Sequence, residues 1–234
     1  MICRRCFNLS LICVFWLSAN AIAFGQISSD PSSSSKNNPD GMKRIKILVA
    51  YQSKYGSTKQ YAEWIQQDIK CDLVDIKNEG MPPLAKYDII VMGGYIRAGD
   101  IIIAPFIKDH WDVLKGKKVV LFTTSGTPPR HSKIRIIYEK SFPEEIRKEI
   151  KYFPLPGRIS LKDLTFFDKR LMAIGKMMER DEALKKDMGK DFDGVKRENL
   201  LPLIEYLKEI KALITDENDQ SRSLNKGVRK HTGH

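Results

Sequence analysis

The stretch that decides the fold is residues 45–58, IKILVAYQSKYGST. Its first seven residues are an almost continuous apolar run, which is typical of a strand buried on both faces. Hydroxyl residues and a glycine follow, and these are typical of a loop that leads into a helix. With Ser57 or Thr58 as the N-cap, the spacing predicts a helix to about Lys70. The stretch therefore predicts a buried strand, a short loop and a helix.

The residues beyond this stretch repeat the alternation of strand and helix. Further strands are predicted at 71–76, 87–93 and 118–124, with a fifth within 151–161. Helices are predicted after Pro105 and at 143–150, 166–178 and 198–214. Buried strands that alternate with helices form a parallel sheet covered on both faces. Rossmann-like and flavodoxin-like strand orders both fit this pattern, and in either one ligands bind beyond the C-terminal ends of the strands.

Composition and charge narrow the class of protein. The chain has 234 residues, of which 42% are hydrophobic, and 40 Lys+Arg against 29 Asp+Glu give a net charge of +11. One long apolar stretch, at the very start, excludes a membrane protein with several spans. A basic body favours phosphates, carboxylates or an anionic membrane surface as partners. We expect no nucleic-acid partner because no recognised module accompanies the charge, and the spacing of His and Cys predicts no metal site.

The first 41 residues have the features of an export signal followed by a linker, and not those of a folded domain. Arg4 and Arg5 precede an uncharged apolar stretch and an A-x-A pattern at 21–23, which is the layout of a secretory signal peptide covering 1–23. An uncleaved anchor is the alternative, and a start at Met42 would leave a cytoplasmic domain. Residues 24–41, rich in Ser, Pro and Asn, predict a flexible linker. We therefore expect an exported domain, periplasmic or membrane-tethered, at 42–214, with a disordered polar tail at 215–234.

The loop after the first predicted strand has the features of a phosphate cradle. A glycine allows positive φ, and the N-terminus of the following helix offers free backbone N–H groups. Neither G-x-x-x-x-G-K-[ST] nor G-x-G-x-x-G occurs in this loop, which favours a ligand with a single phosphate. The candidate residues are Ser53, Tyr55, Gly56, Ser57 and Thr58.

Two further loops follow the third and fourth predicted strands. In the loop after the third, Gly93 and Gly94 would let a planar ligand approach the backbone, and Arg97 could stabilise negative charge on a reduced ring. Arg97 is therefore our candidate catalytic residue. The loop after the fourth strand would wrap the other edge of the same ligand. The binding candidates from these two loops are Gly94, Tyr95, Ile96, Arg97, Thr124, Ser125, Gly126 and Thr127.

The motifs S-K-Y-G-S-T and G-G-Y-I-R-A-G, together with the closing F-F-D-K-R-L-M-A-I-G-K-M-M, resemble the flavodoxin family over residues 44–211. They are most similar to the branch that contains menaquinone-dependent protoporphyrinogen dehydrogenase. The resemblance implies a single α/β domain, a five-stranded parallel sheet of order 2-1-3-4-5 with helices on both faces. It also implies a non-covalent FMN held by the residues of the three loops. Tyr55 departs from the usual Thr of the phosphate loop but keeps its backbone N–H.

The resemblance also implies a function. We expect an FMN-dependent oxidoreductase that passes electrons between a flat reduced substrate and a quinone-type acceptor, similar to protoporphyrinogen oxidase. The alternative is a flavodoxin-type electron carrier that serves a protein partner and has no substrate of its own. The basic charge distinguishes this chain from the acidic electron-carrier flavodoxins. Basic residues among the apolar positions of 166–178 also suggest peripheral membrane contact.

Overall fold

A computed structural model describes residues 44–231, and for 219 and 221–231 it describes the backbone alone. The predicted signal peptide and linker lie outside the described residues. Within the described part, no helix is both long enough and apolar enough to cross a membrane.

Five parallel strands form the centre of the molecule, in the order β2-β1-β3-β5-β6. A two-residue strand, β4, pairs antiparallel with the end of β3. The strand β4 lies outside the parallel order. When only the five parallel strands are numbered, their order is 2-1-3-4-5, the predicted flavodoxin-like order. The strands are β1 (Ile47–Tyr51), β2 (Asp72–Asp75), β3 (Ile89–Arg97), β4 (Asp100–Ile101), β5 (Lys118–Ser125) and β6 (Ile150–Pro156).

Helices cover both faces of the sheet, as the continuous apolar strands require. On one face, Val49 and Phe122 of the sheet pack in one buried apolar cluster with residues of the first and last helices. On the other face, Met92 and Leu121 pack with helices that follow β4 and β5. The helices are α1 (Ser57–Ile69), α2 (Ile76–Glu79), α3 (Ala104–Asp109), α4 (Trp111–Leu114), α5 (Ser132–Ser141), α6 (Glu144–Glu149), α7 (Phe166–Met178), α8 (Glu182–Asp187) and α9 (Leu201–His231).

A segment between β6 and α9 leaves the sheet and returns to it. It contains α7 and α8, and its two ends pair as the antiparallel strands β7 (Arg158–Ile159) and β8 (Phe192–Asp193). We call residues 157–195 the α7 arm. The sequence predicted its main helix, 166–178, with the observed bounds.

Several elements differ from the sequence predictions for physical reasons. The helix α5 was not predicted, because its apolar residues are few and charged residues surround them. The predicted disordered tail is helical in the structure as far as His231, since extending an existing helix such as α9 avoids the cost of nucleating a new one. The fifth strand, β6, tolerates Pro154 and Pro156 because it lies at the edge of the sheet.

Candidate functional site

The loop between β1 and α1 is shaped for an anion. Gly56 is the N-cap of α1 and has φ +86°, a left-handed conformation that glycine adopts without strain. Ser53 Oγ accepts a hydrogen bond of 3.2 Å from the Gly56 amide and so closes the loop. The first turn of α1 contains no acidic residue, and its amides lack the acceptors that a helix interior supplies. These amides therefore point their positive ends out of the loop, where an anion can accept from them.

Two predicted hydroxyl groups of the cradle have structural partners instead. Thr58 Oγ1 lies 3.0 Å from Thr124 Oγ1 and 3.2 Å from the Gly94 carbonyl oxygen, and all these contacts are buried. Ser57 Oγ accepts from the Arg158 amide at 3.0 Å. Thr58 and Ser57 therefore hold the first loop to β3, β5 and the α7 arm. Of the predicted hydroxyls in this loop, only Ser53 remains at the surface of the cleft described below.

The predicted second loop is mostly strand. β3 continues to Arg97 and turns through Ala98 (φ +54°) and Gly99 (φ +80°) into β4. Two consecutive left-handed residues make the tight turn that joins paired antiparallel strands. As a consequence, Tyr95 and Arg97 lie on the same face of the strand end, and the half-buried Ile96 packs towards the core instead.

Gly93 and Gly94 have a packing role that the sequence did not predict. A Cβ on Gly93 would lie 2.4 Å from the ring of Phe122, and one on Gly94 would lie 2.7 Å from Ile103 Cγ2. Both glycines are buried within β3. Because glycine has no side chain, Phe122 and Ile103 can pack directly against the backbone of β3 at these two positions.

A cleft of about 220 Å³ opens between the first loop and the end of β3. Three of its lining residues are cations and the others are polar or aromatic, so its lining contains no carboxylate. The sequence predicted Ser53, Tyr95 and Arg97 here and missed the others. The lining residues are Gln52, Ser53, Lys54, Lys77, Tyr95 and Arg97.

A single carboxylate from the α7 arm holds the cationic side of this cleft in place. Asp168 is 8% exposed and accepts hydrogen bonds from Lys54 Nζ and Tyr55 Oη. The guanidinium of Arg97 donates to its other oxygen from Nε at 2.9 Å and from Nη2 at 2.7 Å. Thr165 Oγ1 donates to the carboxylate at 3.1 Å and accepts from the Asp168 amide as the N-cap of α7. Asp168 therefore joins three elements that are distant in sequence.

The surroundings of Asp168 keep it ionised. Burial alone would raise the pKa of this carboxyl, but hydrogen bonds from Lys54, Tyr55, Arg97 and Thr165 together hold the pKa well below its usual range. The Lys54 ammonium responds in the matching direction, because its hydrogen bond to Asp168 raises its pKa. The group thus stays charged at neutral pH, with two cations facing one anion.

The predicted third loop does not line this cleft. Ser125 Oγ donates to the Thr127 carbonyl oxygen at 2.8 Å and accepts from the Thr127 amide at 3.1 Å, which makes a compact turn. The Ser125 carbonyl oxygen accepts from the Gly157 amide at 2.6 Å, and Ile159 covers the Cα of Gly126. The turn instead leads to a second cleft.

The second cleft, of about 400 Å³, lies beside the third loop and above α5. Tyr138 and Tyr152 stack in it with ring centroids 4.2 Å apart and planes 6° apart. The hydroxyl of Tyr138 is buried and has no hydrogen-bond partner among the described residues. Burial raises the pKa of Tyr152 to about 12, against a hydrogen bond with Thr123 that lowers it. The lining residues are Pro129, Arg130, His131, Ser132, Ile134, Arg135, Tyr138, Tyr152 and Pro154.

With this geometry in view, the family of the chain is clear. The family model described as Flavodoxin domain matches residues 48–185, which is more than half of the chain. The protein therefore belongs to the flavodoxin domain family. This result confirms the predicted fold and FMN as the predicted cofactor. The match is to the family as a whole and does not distinguish the branch that contains menaquinone-dependent protoporphyrinogen dehydrogenase.

Several flavoproteins of known structure are similar to part of the chain. A flavoprotein from Bacteroides eggerthii is 24% identical, with 57% of this chain and 97% of that chain covered and a TM-score of 0.35. A flavoprotein in complex with FMN from Lactobacillus acidophilus is 17% identical, with coverage of 48% and 92% and a TM-score of 0.35. A WrbA-like flavodoxin from Agrobacterium tumefaciens is 16% identical, with coverage of 58% and 99% and a TM-score of 0.36. No curated protein matches the chain.

The residues present fit an FMN phosphate. A Cβ on Gly56 would meet nothing within 4 Å, so the mouth of the cradle is open on that side. The donors beside it already hold an anionic oxygen group, the carboxylate of Asp168, through Lys54 and Tyr55. The amides of the first turn of α1 remain for a second anionic group.

Proposed function

We propose that this protein is an FMN-dependent oxidoreductase that passes electrons from a reduced, carboxylate-bearing substrate of the porphyrinogen class, whose oxidised form is a flat porphyrin, to a quinone-type acceptor. The observation that carries the substrate class is the second cleft, where stacked tyrosines lie beside arginines. Stacked rings accept a flat apolar body, and guanidinium groups pair with carboxylates.

The residues of the first cleft have separable roles towards FMN. Amides of the first turn of α1, with Ser53 beside them, would hold the phosphate. Tyr95 lines the same cleft and offers an aromatic face to a planar ring. When bound, FMN supplies two-electron and one-electron redox chemistry. The residues of this chain would orient the flavin ring and determine the charge around it.

Arg97 would stabilise negative charge that develops in the cleft during reduction. Its guanidinium is about one third exposed and is oriented by two hydrogen bonds to Asp168. A fixed donor of this kind stabilises charge without having to reorganise. The ion pair also reduces the net charge that Arg97 presents, so Asp168 tunes the effect as well as orienting it.

Tyr138 and the arginines would bind the substrate in the second cleft. A tyrosine hydroxyl is protonated at neutral pH, and burial raises the pKa of Tyr138 further, so this group can act only as a neutral hydrogen-bond donor or acceptor. Arg130 and Arg135 are exposed and lie at the rim of the cleft. Arg130 offers a positive charge at the rim, and Glu139, 3.7 Å from the Arg135 guanidinium, offsets part of the second.

The test is anaerobic mixing of the FMN-loaded full chain with a porphyrinogen that carries carboxylate arms, followed by a soluble quinone. We expect the flavin absorption to bleach on the first addition and to return on the second. The double variant Arg130→Ala/Arg135→Ala should raise the substrate concentration for half-maximal rate about tenfold or more, since each lost charged contact is worth about 1.5–3 kcal/mol when well ordered and less at a rim.

A matched control separates this effect from a general loss of charge. Lys208→Ala, on the exposed side of α9, removes a cation far from the cleft and should leave the same constant unchanged. A protein that binds FMN but is not reduced by any porphyrinogen would contradict the substrate class. In that case, rapid reduction of the bound flavin by a protein donor would indicate the electron-carrier function.

A further inference from the structure

The α7 helix exposes an apolar face that nothing in the described structure covers. Five large apolar side chains on this one helix are between 51% and 76% exposed. They are Phe166, Phe167, Ile174, Met177 and Met178.

These five side chains share one side of the helix, opposite the side that faces the protein. At 100° per residue, the five apolar residues fall within one arc of about 120°, and the buried Asp168 lies outside that arc. Asp168 is the only buried residue of α7. The inner side of the helix therefore combines the polar contacts of Asp168 with the half-buried Leu171 and Met172, while the five-residue apolar arc faces the surroundings.

The exposed charge of α7 is entirely basic. Lys169, Arg170 and Lys176 are exposed, while the single acid of the helix, Asp168, is buried and neutralised by Lys54 and Arg97. None of the three basic residues forms an ion pair with another described residue. The guanidinium of Arg170 lies 5.0 Å from the ring centre of Phe166, within the apolar face itself.

We propose that α7 is a docking helix for an anionic lipid surface and lies flat on it with its apolar side inserted. Apolar side chains flanked by basic ones match the interface of a bilayer that carries acidic headgroups. The helix has 13 residues and is about 20 Å long, so it lies along a surface and does not span it.

Charge disfavours a second copy of this chain as the occupant. A symmetric dimer places the same patch on itself, and three exposed positive charges on each side would then face each other. The docking surface also adjoins the candidate site, because the Arg97 guanidinium lies 5.6 Å from the ring centre of Phe167. The inference itself rests on the exposed face alone and does not depend on the proposed function.

Hydrogen exchange measured by mass spectrometry on the full chain tests this proposal, because it resolves α7 from the N-terminal residues. We expect vesicles containing phosphatidylglycerol to slow exchange in peptides from 166–178, and vesicles of phosphatidylcholine alone to have little effect. Raising the salt concentration should weaken the protection, because screening reduces the attraction between Lys or Arg and the headgroups.

Two double variants separate the apolar and the ionic contributions. Met177→Ser/Met178→Ser should abolish most of the protection, and Lys169→Gln/Arg170→Gln should weaken vesicle binding by α7 about tenfold or more. The controls are Ile136→Ser on α5, where the isoleucine is 58% exposed, and Lys208→Gln on α9. Both controls should leave the protection of α7 unchanged.

Three results would overturn the proposal. The first is that anionic vesicles fail to protect α7. The second is that α7 is fully protected before vesicles are added, which would indicate cover by a second copy or by another part of this chain. The third is that an acidic protein protects α7 while vesicles do not, which would make the occupant a protein.

Discussion

The central sheet and the α7 arm are stabilised by opposite means. In the sheet, residues such as Val49, Val91 and Leu121 are completely buried, and apolar burial supplies the stability. In α7, one charged residue is buried and five large apolar residues are exposed. The sheet is thus a scaffold that holds itself together, while the helix of the arm is held by the polar network around Asp168. The difference teaches that the cleft combines a strand end from this buried sheet with cations that Asp168 of the arm orients, and that the arm itself depends on polar contacts such as those of Asp168 and the ion pair between Lys133 and Glu179.

The largest effect is expected from opening the core of the sheet. Phe122→Ala removes a fully buried ring that contacts both β3 and the α1 face, and it should lower the free energy of unfolding by about 3–5 kcal/mol. Urea unfolding followed by circular dichroism measures this change. Met177→Ala on the arm is the matched truncation and should cost no more than about 0.5 kcal/mol. Similar losses for both variants would mean that the arm is packed as the sheet is.

A smaller effect is expected from filling the close contact within β3. Gly94→Ala places a methyl group against Ile103 and should destabilise the protein by about 1–3 kcal/mol. The cause is tested with a double-mutant cycle, since Ile103→Ala removes the atom that the new methyl group meets. In that background Gly94→Ala should cost clearly less. An unchanged cost would show that the glycine is needed for a reason other than packing.

Asp168→Asn should affect the arm more than the sheet. It removes the charge that Lys54 and Arg97 face, and hydrogen bonds to charged groups are worth about 1.5–3 kcal/mol, with the lower end expected because both cations are about one third exposed. Amide exchange in 166–178 should accelerate about tenfold or more, while exchange in β1 and β5 stays the same. Equal acceleration in the strands would contradict a separate opening of the arm.

The smallest expected effect is the pH dependence that Asp168 contributes to the stability of the arm. This dependence appears only at acidic pH. Its folded pKa lies below the unfolded value of about 3.9, so the stabilisation is complete above that value and is lost as the pH falls below it. After correction for the intrinsic exchange rate, the protection of the α7 amides should therefore be constant from about pH 5 to 8. It should decrease below about pH 4. Asp168→Asn should lack this acid-induced loss. The same profile in both proteins would assign it to other carboxyls.

The comparison also explains what the sequence could and could not predict. The apolar runs at 45–51 and 118–124 identify buried strands directly, because burial on both faces leaves no polar position. The loops after them follow from topology, since the C-terminal ends of parallel strands meet at one edge. This rule predicts that Ser53, Tyr95 and Arg97 lie together, and all three line the same cleft.

The network around Asp168 could not be predicted, because it joins residues that are 71 to 114 positions apart. A single Asp after two phenylalanines was the only local signal. Nothing local in the sequence distinguishes Lys54 and Lys77 from other lysines, so their place in the lining of the cleft was not predicted. The packing role of Gly94 was equally hidden, because it depends on Ile103 crossing the strand.

The central claim is that the loop at Gly56 and the first turn of α1 bind the phosphate of FMN. The most direct measurement is a titration of the full chain with FMN, followed by flavin fluorescence and visible absorption. We predict saturable binding of one FMN per chain, with a shifted flavin spectrum and with competition by inorganic phosphate. Absence of binding by protein that circular dichroism shows to be folded would contradict the claim and the redox function built on it.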